Sequence, residues 1–107
     1  MIIRHATLYG TVPAKHQPAF DAHMAGPVIA AMRQYPNIVK VELEKITEQG
    51  TETPPIYLQF NSYYATLEDM NAALASPVRD TVKALTQQGL KQFDGYMTHS
   101  VSQLLTP

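Results

Sequence analysis

The chain carries four histidines, His5, His16, His23 and His99, and no cysteine, so acid-base chemistry near neutral pH falls to imidazole and thiolate chemistry is excluded. His23 lies in the stretch FDAHMAGPV, residues 20–28, three residues ahead of a Gly-Pro pair that an α-helix resists. As a general acid or base it would have to reach a ligand. On a helical wheel the apolar arc of Phe20, Met24, Val28, Ala31 and Tyr35 centres about 40° beyond Phe20, and His23 falls about 100° from that centre. It is a flank residue, which either lines a pocket or rides at the border of the core; because a flank position contributes little packing, its replacement by alanine is expected to leave folding intact.

His5 and His99 fall on the first and last of the strands read below, so their imidazoles could form a proton relay or half of a metal site; the alternative is two unrelated strand histidines. No further ligands at metal-binding spacing accompany them, and no metal site is expected. His16 reads as solvated. Tyr9, His5, His23 and His99 are the candidate catalytic groups, with Phe20, Met24, Pro27, Tyr57, Phe60 and Tyr96 as candidate ligand-binding residues. Aromatic strands also arise from packing and strand propensity alone. There is no phosphate-binding glycine loop, nucleophile elbow or dinucleotide fingerprint, so chemistry would take place on the ligand itself with no cofactor.

Alternation positions these residues. Residues 2–12 read as a strand with Ile2, Ala6 and Leu8 opposite Ile3, His5, Thr7 and Tyr9, and residues 16–34 read as a helix stopped by Pro36. Residues 38–48 and the stretch IYLQFNSY form two further strands joined as a hairpin. Thr66 is an N-cap for a second helix, which SPVRD kinks or restarts before it ends near Gly89. DGYMTHSVSQLL supplies a fourth strand. The order β-α-β-β-α-β predicts a ferredoxin-like α+β domain, a four-stranded antiparallel sheet with both helices on one face. The other face is expected to carry Tyr57, Gln59, Asn61, Tyr96, Thr98 and Ser100, although alternation alone does not decide which parity faces the helices.

The chain's 107 residues make one domain, which buries roughly 65% of the surface its unfolded chain exposes. Charged residues are only 16% of it, too few to cover a small fold's surface, and this favours a homodimer or closure around a ligand. The net charge is −1 and the cations are scattered, which excludes an electrostatic footprint for nucleic acid. No stretch is long and apolar enough to span a membrane, so the expected location is cytoplasmic.

HATLYG, FDAHMAGPV, YPNIVKVEL and above all YLQFNSYYATLEDMNAALASP resemble the EthD-like proteins, associated with ethyl tert-butyl ether degradation, in the dimeric α+β-barrel superfamily. The resemblance implies a homodimer whose two sheets face each other as a barrel, with a cavity between sheet and helices for a small organic ligand. It also implies enzymes such as cofactor-free monooxygenases, muconolactone isomerases and polyketide cyclases as relatives. The implied activity is oxidation or proton transfer on a small apolar compound, with a non-catalytic ligand-binding or accessory protein as the alternative. Tyr9 matches a tyrosine that ends the family's first strand. The family pattern His-x-Pro is not kept, because Ala25 stands two residues before Pro27, and the helix is about three residues shorter than usual.

Overall fold

The computed structural model describes residues Met1–Pro107. Four strands, β1 (Ile2–Thr11), β2 (Ile38–Lys45), β3 (Ile56–Tyr64) and β4 (Asp94–Gln103), form one antiparallel sheet in the order β2-β3-β1-β4. Between β1 and β2 run α1 (Gln17–His23), a π-helical turn (Met24–Val28) and α2 (Ile29–Met32); between β3 and β4 run α3 (Leu67–Leu74) and α4 (Val78–Leu90). All of these pack on one face of the sheet, which is the ferredoxin-like α+β arrangement expected from the sequence.

The parity left open by alternation is resolved by burial. Ala6, Leu8, Leu58, Phe60 and Tyr64 enter the core under the helices, whereas His5, Thr7, Gln59 and Asn61 take the opposite face. Tyr57 does not follow its neighbours. Leu8 pairs with Leu58 and Tyr9 with Ile56, so Tyr57 is an extra residue in a β-bulge, and the bulge turns its ring to the helix side. There it meets Phe20 edge-on at 5.4 Å and donates its hydroxyl proton to Asp21 Oδ1 at 2.7 Å. Lys45 closes the group with a 2.7 Å ion pair to Asp21 Oδ2, and its ammonium lies 5.0 Å from the Tyr57 ring centre. This assembly ties α1 to β2 and β3. The expectation that Tyr57 occupies the far face is therefore corrected, since period 2 fails across an inserted residue.

The Gly-Pro pair does not break the first helix. Pro27 has no N–H to continue the α ladder, and the chain passes it in one wider π turn, MAGPV, before resuming α geometry at Ile29. Met24 and Ile29, five residues apart, are both buried, while Ala25, Gly26 and Pro27 point outward. The extra residue shifts the phase of the apolar stripe, so Ile29 and Met32 fill the core where a regular wheel places Ala31. Asn37, with φ of 64°, turns the chain into β2.

The second helical stretch behaves as its capping residues predict. The Thr66 hydroxyl accepts the Asp69 N–H at 3.1 Å and starts α3. Pro77 opens α4, and Ser76 ahead of it donates its hydroxyl proton to the Ala73 carbonyl at 2.6 Å. No helix is long and apolar enough to cross a membrane.

Candidate functional site

A cavity of about 280 Å³ lies between the sheet and the helices. Its floor is the helix-facing parity of three strands: Arg4 and Ala6 from β1, Phe60 and Ser62 from β3, and Met97 and His99 from β4. Val28, Met32 and Tyr35 wall one side, and Leu74 with the inner stripe of α4, including Arg79, Val82 and Thr86, walls the other. The exposed residues among the lining, Lys83, Gln87 and His99, mark its open side. The volume lies just below the usual range of small-molecule sites, about 300–1,000 Å³, and suits a compound the size of one or two rings.

The apolar walls surround a cationic group. Burial first, and then the like charge of Arg79, lower the pKa of Arg4 from its ordinary value, and the guanidinium still remains charged at neutral pH. Arg79 donates to the Tyr35 hydroxyl at 3.4 Å. His99 is exposed as a whole residue at the sheet's edge strand, but it lines the cavity, where desolvation and then the two arginines hold its pKa below the usual histidine value. Its imidazole is neutral at pH 7 and can accept a proton. Outside the lining the Tyr64 hydroxyl is buried next to the Ser62 hydroxyl, which donates to the Arg4 carbonyl at 3.4 Å and keeps its own lone pairs to accept with.

Among the residues expected from sequence, His99 and Phe60 line this cavity. His5 and His99 do not approach each other. His5 pairs with Ser100 and His99 with Ala6, and neighbouring positions of a strand point to opposite faces, so the proposed relay is corrected by register. His5 instead lies on the far face, bonded to Asn61 Oδ1 at 2.7 Å and Ser102 Oγ at 2.8 Å. Tyr9 and Tyr96 stack on each other at 5.3 Å, also on the far face, where Tyr96 is 56% exposed.

His23 is outside the cavity lining: its Nε2–H donates to the Leu85 carbonyl of α4 at 2.7 Å. The close approach depends on Gly89, where a Cβ would stand 2.8 Å from the His23 ring and 2.7 Å from Met24 Cε. Phe20 and Met24 belong to the solid core, with Phe20 stacked on Phe93 at 5.8 Å, and Pro27 faces solvent on the outer side of the π turn. Tyr57 is held in the Asp21 cluster described above. No three His, Asp or Glu side chains gather as a potential metal site.

Neither Arg4 nor Arg79 stands out in the sequence, where both belong to a scattered set of cations. A signal was present in each case. Arg4 shares strand parity with Ala6 and Leu8, and Arg79 shares a helical face with Val82 and Thr86, so each is a cation on an otherwise buried stripe.

No protein-family model matches the chain, and no curated protein matches it in sequence. Solved structures do match. An EthD family protein from Bacillus halodurans is 22% identical, with a TM-score of 0.71 over 98% of this chain and 100% of that one. A dimeric protein of unknown function and ferredoxin-like fold from Bacteroides fragilis is 14% identical, with a TM-score of 0.68 over 96% of each chain. SnoaB, a cofactor-independent oxygenase from Streptomyces nogalater, is 11% identical, with a TM-score of 0.64 over 99% of this chain and 94% of that one. The chain thus has the ferredoxin-like α+β fold. The EthD-like resemblance read in its sequence agrees with the fold of the Bacillus protein.

Proposed function

We propose that the protein is a homodimeric, EthD-like enzyme that performs proton-transfer or cofactor-independent oxidation chemistry on a small, largely apolar organic compound bound in the cavity. The observation that carries this reading is His99, a neutral imidazole on the wall of a space lined mainly by apolar side chains. The step shared by both reaction classes is transfer of a proton from the ligand to His99, leaving an anion that is reprotonated elsewhere or reacts with dioxygen. A non-catalytic binding role is the second reading, favoured by the lack of any Asp or Glu in the lining to orient the His99 ring. The likeness to a dimeric protein and to a cofactor-independent oxygenase supports the first reading.

The test is to incubate the protein in D2O under air with a panel of small cyclic ketones, enols and phenols. Proton–deuterium exchange is read by NMR and oxygen uptake by electrode, for wild type and His99→Gln. The enzyme reading expects turnover of at least one compound and a loss of about 100-fold or more in the variant. Compounds that bind both proteins but react with neither would establish the binding role instead.

A further inference from the structure

We infer that the cavity selects an organic anion, an apolar body carrying a carboxylate or other oxyanion that sits between Arg4 and Arg79. This rests on the reading of the cavity as a ligand site and adds the charge of the ligand. Arg4, Arg79 and Lys83 line the space, and no acidic side chain does. The chain's ion pairs join Lys40 to Glu42 and Lys45 to Asp21, so neither arginine is neutralised within the protein.

Arg79 also occupies the first turn of α4, where the helix dipole opposes a cation, and the acidic residue of that turn, Asp80, is exposed and outside the lining. Two half-buried guanidiniums near each other without a counter-charge raise the free energy of the empty protein. An oxyanion bridging them removes the repulsion and gains charge-assisted hydrogen bonds, bidentate where the geometry allows. The apolar walls contributed by Met32, Phe60 and Val82 would hold a hydrocarbon body rather than a bare inorganic anion.

Calorimetric titration of the wild-type protein with benzoate, benzyl alcohol and inorganic phosphate tests this. The inference expects benzoate to bind at least about tenfold more tightly than benzyl alcohol, the equivalent of one charge-assisted hydrogen bond, and to weaken as salt is raised. Arg79→Gln should lose about tenfold in benzoate affinity with little change for benzyl alcohol, and Arg79→Lys should recover part of the loss. Benzyl alcohol binding as well as benzoate would overturn the charge assignment while leaving the cavity reading standing. Phosphate binding more tightly than benzoate would overturn the apolar body. Failure of both aromatic probes to bind would overturn the cavity reading and this inference together. The wild-type comparison decides the matter even if a variant does not fold.

Discussion

His23 and His99 carry the same functional group and serve different ends because of what surrounds each ring. His23 was legible as a helix-flank residue, but what it flanks is α4, and only the tertiary contact with Leu85 shows that. His23→Ala removes that bond and opens the contact at Gly89, so a loss of about 1–2 kcal/mol is expected in urea unfolding. That exceeds what a solvated flank residue would cost. For His99 the folded-state pKa lies below its ordinary value, so the folded protein binds a proton less readily than the unfolded chain. Its contribution is full above the unfolded value of about 6.5 and is lost as pH falls below it toward the lowered folded value. Wild type should therefore lose more stability than His99→Gln across that acid window, a difference readable from paired denaturation curves at several pH values.

At the scale of elements, the strands, the Thr66 cap and the Pro36 stop were all legible, because each rests on local chemistry that tertiary contacts reinforce. Two places were not, and both are insertions. The bulge at Tyr57 and the π turn at Met24–Val28 each add a residue that moves everything beyond it to a new phase, and periodicity arguments assume no such step. The packing of the π turn on α4 makes Gly89 a contact point rather than a helix-weakening accident. Gly89→Ala would raise helix propensity by about 1 kcal/mol, yet its methyl group would crowd Met24 and His23. A net loss of about 1 kcal/mol, seen as a lower Tm, is expected. In His23→Ala the same substitution should cost less, since half of the crowding is gone.

For the molecule as a whole, one face of the sheet is covered by helices and the other is not. The uncovered face carries a connected polar surface in which His5, Gln59, Asn61 and Glu44 bond to one another, with the Tyr9–Tyr96 stack beside it. β4 is an edge strand, and Leu104 and Leu105 beyond it are 44% and 88% exposed. These features fit the proposed homodimer, in which a second sheet would cover the far face. Sedimentation equilibrium at micromolar concentration should give twice the 11.9 kDa chain mass. Leu105→Glu should shift the equilibrium toward monomer, and a monomeric wild type would contradict the assembly. The fold as a whole was legible in strand and helix order. The cavity's charge was not, because Arg4 and Arg79 are far apart in sequence and come to one cavity only when β1 and α4 take their places on either side of it.

The π turn also bears on the length of chain this fold can accept. Removing Pro27 would leave Phe20, Met24, Val28, Ile29, Met32 and Tyr35 at relative positions 0, 4, 7, 8, 11 and 14, the spacing of an unbroken amphipathic helix. Every core contact on either side would keep its face, and the one residue without an N–H would be gone. A deletion inside a buried helix ordinarily rotates half of it out of the core. Here it would restore the regular α spacing, so the shortened chain should fold with its thermal midpoint undiminished, and homologous chains one residue shorter at this point would be structurally equivalent to this one.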